Sequence, residues 1–216
     1  IYCDWMEIPF FNYKEYCKEI NYIALLEEVL DTGYLIGGPY VDLVESKIEE
    51  FTHIKHCICV GNATDAMEII FSFLDLPKGS NVLVPAHTML ATASAARSAG
   101  LNPIPMDICN KSLMTEIKQL EESSLNNVSA CMITQLNGVV ADMDPIKEYC
   151  ESKKIFLVED SAQGIGAFNN KNHSGSWGIG GCISFYPAKV IGSLGDGGAI
   201  ITNSDELNEY ALSLIH

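Results

Sequence analysis

The chain has 216 residues, and its 13 lysines and arginines against 28 aspartates and glutamates give a formal net charge of −15 at pH 7. The length suits one large α/β domain, and a hydrophobic fraction of 48% with 19% charged residues excludes a disordered tail. The acidity, without any basic run of five residues, excludes nucleic acid and other polyanions as partners, and no apolar stretch approaches the ~20 residues of a membrane span.

The N-terminal part of the chain has the pattern of helices. Apolar residues recur near the 3.6-residue period over residues 16–30, glycine-containing turns follow, and a second apolar face runs through residues 41–51. We therefore expect an N-terminal helical segment, residues 1–55, that packs on a larger domain, residues 56–216.

From residue 56 onward, short apolar strands alternate with helices. Strands are predicted at residues 57–60, 81–84, 103–106, 129–133, 155–158, 182–185 and 199–202, and helices at residues 65–74, 89–98, 144–153 and 205–216. Asp144 is predicted to cap the third of these helices, with Pro145 at its first position. The alternation predicts an α/β fold with one mostly parallel central sheet and helices on both faces.

The eight cysteines do not have the spacing of a metal or redox site. None forms a C-x-x-C pair, and several lie in apolar segments such as residues 57–60, where a free thiol behaves as a small hydrophobic side chain. The five histidines also lack the spacing of metal ligands, so no metal site is predicted. Because no charged and apolar leader opens the chain, we expect a cytoplasmic protein with reduced thiols.

Ligands of open α/β sheets bind beyond the carboxyl ends of the strands, and two polar segments lie there. Residues 61–65 offer small side chains and a helix start that suit an anion, although a simple helix cap by Asn62 or Thr64 is an alternative. The nucleotide-binding patterns G-x-x-x-x-G-K-[ST] and G-x-G-x-x-G are absent from this turn. Residues 159–163 place a carboxylate where it can hold a cationic nitrogen, and a cap or a solvated loop is the alternative.

Two further segments place a lysine and a histidine after strands. Lys189 precedes the glycine-rich residues 192–198, and it is either a desolvated Schiff-base nucleophile or an ordinary surface lysine. His87 follows the strand at residues 81–84 and is either a base or a structural residue. No G-x-S-x-G motif and no Ser-His-Asp order supports a hydrolase.

Taken in order, these segments resemble one known family. From residue 8 nearly to the end, the chain is similar to the pyridoxal-phosphate-dependent nucleotide-sugar aminotransferases of fold type I, the DegT/StrS group. The resemblance rests on Gly37-Gly38-Pro39, GNATDA at 61–66, VPAHT at 84–88, ADMDPI at 141–146, EDSAQ at 159–163, SFYPAK at 184–189 and GDGGAI at 195–200. It implies the large domain of that fold.

The resemblance assigns the catalytic roles to two residues. Lys189 would bind the cofactor aldehyde covalently, and Asp160 would pair with the pyridinium nitrogen. Gln163 would lie close to the ring face and the 3-oxygen. An ionised Asp160 would keep the ring nitrogen protonated, and the released Lys189 would act as acid and base.

The resemblance also implies how the cofactor phosphate and ring would be held. Ala63 and Thr64 would donate backbone N–H groups to the phosphate, and Ser184 would add its hydroxyl. Met89 stands where the family usually has an aromatic residue stacked on the ring. A thioether also covers a ring face, so we expect a changed affinity for the cofactor and retained chemistry.

The function implied by the resemblance is the transfer of an amino group, with glutamate as the expected donor, to a nucleotide-linked keto sugar in amino-sugar and polysaccharide biosynthesis. Family members are homodimers with shared active sites and have a smaller C-terminal domain, so we expect this chain to be the cofactor-binding part of a longer enzyme. One alternative is a sugar dehydratase on the same scaffold, in which histidine replaces the lysine; Lys189 argues against it. The other is a non-catalytic cofactor-binding or regulatory homologue.

Overall fold

The computed structural model describes residues 9, 11–18, 20–123 and 126–214, and it divides the chain into two compact units, Ile1–Asp42 and Leu43–His216. The first unit contains α1 (Tyr13–Tyr16) and α2 (Tyr22–Thr32). The prediction of one helix over residues 16–30 is wrong at its start, because the Asn21 side chain accepts the Ala24 N–H at 3.2 Å and caps α2 there. The predicted domain boundary between residues 55 and 56 stays a prediction.

Helix α3 begins in the first unit and ends in the second, and the rest of the second unit contains the predicted alternation of strands and helices. In chain order the elements are α3 (Pro39–Thr52), β1 (His56–Val60), α4 (Ala63–Phe73), β2 (Asn81–Pro85), α5 (Leu90–Ser98), β3 (Asn102–Met106), α6 (Ile117–Glu122), β4 (Val128–Thr134), α7 (Met143–Lys153), β5 (Phe156–Asp160), β6 (Phe168–Asn169), β7 (Asn172–His173), β8 (Gly181–Ser184), β9 (Gly198–Thr202) and α8 (Asp205–Ser213). Helix α6 and the β6–β7 hairpin were not predicted.

Several predicted element ends differ from the structure by one or two residues, and two of them concern acidic residues named in the sequence. Asp142, not Asp144, is the N-cap residue of α7, so Asp144 and Pro145 already lie in the first turn of that helix. Glu159 and Asp160 belong to β5 itself, because their backbone continues the parallel pairing with β4 as far as the pair of Thr134 with Asp160. The last two residues of the helix predicted at 205–216 lie outside the described residues.

A seven-stranded sheet forms the centre of the second unit. Its strand order is β1-β9-β8-β5-β4-β2-β3. Strand β9 is antiparallel to both of its neighbours, and the other neighbouring pairs are parallel. The carboxyl ends of β1, β2, β4, β5 and β8 therefore meet at one edge of the sheet. This confirms the mostly parallel α/β architecture expected from the sequence.

Hydrophobic cores fill both faces of the sheet. Helix α4 buries apolar residues at helical spacing, among them Ala66, Ile70 and Phe71, and packs with α5 and α8 on one face. Helices α3, α6 and α7 cover the other face through residues such as Ile48 and Ile146. Seven free cysteines, four of them buried, lie within the described residues. None of the described helices combines the length and apolar character of a membrane span.

Candidate functional site

The strand register brings three predicted segments to one edge of the sheet. Ser184 at the end of β8 pairs with Gly198, and Gly198 pairs on its other side with Val60 at the end of β1. Asp160 at the end of β5 pairs with Cys182, two residues before Ser184. Because side chains alternate along a strand, Asp160, Cys182 and Ser184 point to the same face, the one covered by α4 and α5.

The start of α4 presents backbone donors at this edge. The Asn62 side chain accepts the Asp65 N–H at 2.9 Å, so the cap predicted at Asn62 is present. A helix provides no partner for its first N–H groups, and here those of Ala63 and Thr64 have none from α4. With the positive end of the helix dipole, these two amides suit an anion such as a phosphate.

Close packing brings Gly198, the pairing partner of Ser184, against the start of α4. A Cβ atom on Gly198 would lie 2.4 Å from the carbonyl carbon of Asn62 and 2.6 Å from the Ala63 nitrogen, so only glycine lets β9 approach the start of α4. Ser184 is buried on the neighbouring strand, and its Oγ accepts the Tyr186 N–H at 3.3 Å. Within the described residues no acceptor takes the Ser184 hydroxyl proton, which therefore remains available to a ligand.

Asp160 is a buried carboxylate held by three donors. Thr92 Oγ1 donates to Asp160 Oδ2 at 2.6 Å, while the Ala162 N–H, at 3.2 Å, and the Cys182 thiol, at 3.5 Å, point at Oδ1. Burial and the negative charge of Asp160 raise the pKa of the Cys182 thiol well above its ordinary value, so Cys182 stays protonated and donates. A carboxylate has about four acceptor positions, so Asp160 can still accept from one further donor.

Sequence reasoning missed the hydroxyl groups behind Asp160. Thr88 Oγ1 lies 2.7 Å from Thr92 Oγ1 and 3.0 Å from Thr134 Oγ1. Thr134 pairs with Asp160 across β4 and β5. The available signal was a pair of threonines four residues apart where β2 leads into the alanine-rich α5.

Lys189 lies in the loop between β8 and β9 at the same edge of the sheet. Hydrogen bonds from the Phe185 N–H to the Gly197 oxygen and from the Ser193 N–H to the Phe185 oxygen, both 2.8 Å long, close the base of this loop. The side chain of Lys189 is half-buried, and among the described residues no carboxylate or hydrogen-bond acceptor pairs with its amino group. The amino group is thus not committed to an ion pair within the described part of the chain.

The other predicted residues border this edge. Gln163 Oε1 accepts the Asn137 N–H at 2.6 Å, which fixes the Gln163 side chain beside the 3₁₀ turn that follows β4. Met89, the N-cap residue of α5, is 64% exposed, and His87 is exposed as well. Within the described residues no group of three or more His, Cys, Asp or Glu side chains could hold a metal ion.

Glu159, predicted in the same segment as Asp160, does not belong to this site. Its side chain points to the opposite face and accepts four hydrogen bonds, from Gln135 Nε2 and from the backbone N–H groups of Gly175, Trp177 and Gly178, at 2.7–3.1 Å. Burial raises the pKa of Glu159, and these hydrogen bonds oppose that rise. Glu159 ties the loop before β8 to the sheet.

Known proteins are similar to this chain in sequence. The sequence profile of the "DegT/DnrJ/EryC1/StrS aminotransferase family" matches residues 17–216. The chain is 35% identical to the UDP-2-acetamido-2-deoxy-3-oxo-D-glucuronate aminotransferase of Pseudomonas aeruginosa over 85% of its own length and 51% of that protein. It is 33% identical to a pleiotropic regulatory protein of Geobacillus stearothermophilus over 94% of its length and 55% of that protein.

A solved structure has the same fold. The crystal structure of S. venezuelae DesV in complex with a ketimine intermediate superimposes with a TM-score of 0.88 at 30% identity, covering 94% of this chain and 55% of that one. The chain thus spans about half the length of the curated relatives it matches.

Proposed function

The chain belongs to the DegT/DnrJ/EryC1/StrS aminotransferase family, and we propose that it is the cofactor-binding part of a pyridoxal-phosphate-dependent aminotransferase that acts on a nucleotide-linked keto sugar. The observation that carries the proposal is the buried Asp160, which is held by three donors at the same sheet edge as the start of α4 and as Lys189, whose amino group has no partner among the described residues. Members of this family depend on pyridoxal phosphate.

The chemistry of the donors fits the cofactor phosphate. Ala63 and Thr64 would donate two backbone N–H groups, and Ser184 would donate its hydroxyl. This set contains no basic side chain, which explains how a chain with a net charge of −15 can hold an anionic group. The glycine at position 198 lets β9 approach the start of α4, and Ser184 pairs with this glycine on the neighbouring strand, which supports a shared phosphate site.

The residues near Asp160 and Lys189 fit the reactive part of the cofactor. When bound, pyridoxal phosphate supplies an electron sink for the carbon next to the transferred nitrogen. Asp160 would hold a proton on the ring nitrogen, which a buried and oriented carboxylate does well. Gln163 would lie near the ring and its 3-oxygen, with its side chain oriented by the Asn137 N–H.

Lys189 would carry the cofactor covalently and then move protons. Its amino group would bind the cofactor aldehyde, and the arriving amino donor would release it. The free amine would then take the proton from the donor's α carbon and return it at the C4′ carbon of the cofactor. The absence of a carboxylate partner among the described residues leaves the amine uncommitted to an ion pair.

We further propose that two copies of the protein share this site. Apolar side chains around the sheet edge are each more than half exposed: Met89, Leu90, Tyr186, Val190 and Leu194. A cluster of exposed apolar residues at a polar site is typical of a protein interface. A second copy would cover them, as a two-fold homodimer does.

The proposed substrates are an amino donor and an amino acceptor. The acceptor class follows the Pseudomonas relative, which is an aminotransferase of a nucleotide-linked oxo sugar, and the donor is proposed to be glutamate. A dehydratase role is disfavoured by Lys189, because the dehydratases of this scaffold have a histidine in its place. A purely regulatory role, suggested by the name of the Geobacillus relative, predicts no turnover.

The test measures one half of the reaction in protein expressed from the complete gene. Purified protein is loaded with pyridoxal phosphate and mixed with glutamate, and the extracted cofactor and 2-oxoglutarate are quantified. We expect stoichiometric conversion to pyridoxamine phosphate, its reversal by a nucleotide-linked keto sugar, and no conversion in Lys189→Ala. Cofactor binding without conversion by glutamate or any other amino donor would contradict aminotransfer, and absence of cofactor binding would contradict the whole proposal.

A further inference from the structure

We propose that Thr92 is a positioning residue that, backed by Thr88 and Thr134, orients Asp160 toward the cofactor ring nitrogen. The part of this inference that concerns the cofactor rests on the proposed function. The part that concerns Thr92 and Asp160 rests on contacts between described residues. Thr92 is fully buried, and its hydroxyl lies 2.6 Å from Asp160 Oδ2. The hydroxyl contacts Asp160 and Thr88, so Thr92 would act on the cofactor through the carboxylate.

The donor and the acceptor in each hydrogen bond between these hydroxyls follow from the single proton that each hydroxyl carries. An ionised carboxylate only accepts, so the single hydroxyl proton of Thr92 is committed to Asp160. Thr88 must then donate to Thr92, at 2.7 Å, and Thr134 must donate to Thr88, at 3.0 Å. All three hydroxyl dipoles consequently point toward Asp160 Oδ2, and hydrogen bonds aligned in this way strengthen each other.

The other carboxylate oxygen has its own donors. The Ala162 N–H and the Cys182 thiol approach Asp160 Oδ1, so each oxygen is held from a separate side. Side-chain rotation of Asp160 would break contacts on both oxygens at once. The remaining acceptor position is therefore held in a fixed direction, and a fixed direction is what a hydrogen bond to a ring nitrogen requires.

The first experiment needs no cofactor. Thr92→Val keeps the shape of the side chain and removes its hydroxyl, and Asp160→Ala removes the acceptor. In a double-mutant cycle on the apo protein, we expect Thr92→Val to lower the equilibrium constant for folding about tenfold when Asp160 is present, and by much less in the Asp160→Ala background. Additive effects of the two substitutions would contradict the anchoring contact.

Thr115 offers a matched control for this substitution. It is also a buried threonine, but its hydroxyl has no hydrogen-bond partner among the described residues. Thr115→Val therefore makes the same chemical change without removing a hydrogen bond, and we expect less than a twofold effect on folding. Thr92→Ser retains the hydroxyl and should restore the coupling to Asp160.

The second experiment compares pyridoxal phosphate with its deaza analogue, in which a C–H group replaces the ring nitrogen. We expect Thr92→Val to weaken binding of pyridoxal phosphate about tenfold and binding of the analogue less than twofold, because only the former contacts Asp160 through nitrogen. Thr92→Ser and Thr115→Val should bind both compounds as the wild type does.

The outcomes separate the inference from the proposed function. An equal loss of affinity for both compounds, or no loss for either, would overturn the positioning role while leaving the cofactor assignment intact. Failure of the wild type to bind either compound would overturn the proposed function and with it the role toward the ring. Coupling in the apo cycle would then still establish Thr92 as the anchor of Asp160.

Discussion

Glu159 and Asp160 are consecutive carboxylates at the end of β5, yet they point to opposite faces of the sheet. Glu159 faces the α6–α7 side, where four donors saturate its two oxygens. Asp160 faces the α4–α5 side, where three donors orient it and one acceptor position remains. Glu159 is fully buried, whereas Asp160 is 5% exposed at the edge of the sheet.

This difference explains how one strand end serves both stability and binding. A carboxylate with all of its acceptor positions used holds loops together, and it has nothing left for a ligand. A carboxylate that is oriented but incompletely used can bind one more donor. We therefore expect substitution of Glu159 to change mainly the free energy of unfolding, and substitution of Asp160 to change mainly cofactor affinity.

The largest loss of stability is expected for Glu159→Ala. It leaves the N–H groups of Gly175, Trp177 and Gly178 and the amide of Gln135 without their acceptor in a buried region. We expect a loss of at least about 3 kcal/mol in the free energy of unfolding, measured by urea denaturation of the apo protein.

Asp160→Asn is the matched comparison, because it changes the neighbouring carboxylate while keeping its size. We expect it to cost far less stability than Glu159→Ala but to weaken cofactor binding strongly. Equal losses of stability for the two variants would contradict the division of roles between the faces.

A smaller effect is expected for Gly198→Ala. The added methyl group would meet the backbone of Asn62 and Ala63, with its nearest atom at 2.4 Å, so either β9 or the start of α4 must move. We expect about 1–3 kcal/mol of lost stability, together with weaker binding of pyridoxal phosphate in a titration.

Gly197→Ala provides the control for this prediction. The three atoms nearest to a methyl group there would be side-chain atoms of Phe185 and Ser193, at 3.2 Å or more, so a shift of a few tenths of an ångström would accommodate it. The loss of stability and the loss of cofactor affinity should therefore both be smaller in Gly197→Ala than in Gly198→Ala. A Gly198→Ala variant that binds the cofactor as tightly as the wild type would contradict the proposed phosphate site.

The smallest effect is expected for the pH dependence of stability. It comes from His173, which lies on the same face of the sheet as Glu159. Its Nε2 accepts the Gly166 N–H at 3.0 Å, so Nδ1 carries the proton that is donated to the Ser174 oxygen. Burial lowers the pKa of His173 below its ordinary value of 6.5. As the pH falls below 6.5, this histidine binds a proton in the unfolded chain before it does so in the folded chain. The free energy of unfolding therefore falls on acidification by at most about 1.4 kcal/mol per pH unit.

The measurement is the free energy of unfolding of the wild type and of His173→Gln at several pH values between 7 and 5. We expect a shallower decline on acidification in His173→Gln. Identical slopes in the two proteins would show that His173 does not contribute.

The sequence predicted the fold of the second unit well, because its strands are continuous apolar runs and its α4 helix has a regular apolar face. It also placed Asp160 and Ser184 near the carboxyl ends of strands, although Asp160 is the last residue of β5 and does not follow the strand as predicted. It could not separate Glu159 from Asp160, since both stand in one polar segment, and the donors that distinguish them come from residues up to 68 positions away. Thr92 was missed for the same reason, because the pair of threonines at positions 88 and 92 does not indicate by itself that Thr92 contacts a carboxylate 68 residues away.

The central claim is that the Asp160 side of β5 holds pyridoxal phosphate on Lys189, and one measurement tests it directly. Protein expressed from the complete gene is incubated with pyridoxal phosphate, reduced with borohydride and digested, and the modified peptide is identified by mass spectrometry. We expect one cofactor per chain, attached at Lys189, and no labelling of Lys189→Ala. Absence of labelling in the wild type, or labelling spread over other lysines and retained in Lys189→Ala, would contradict the account.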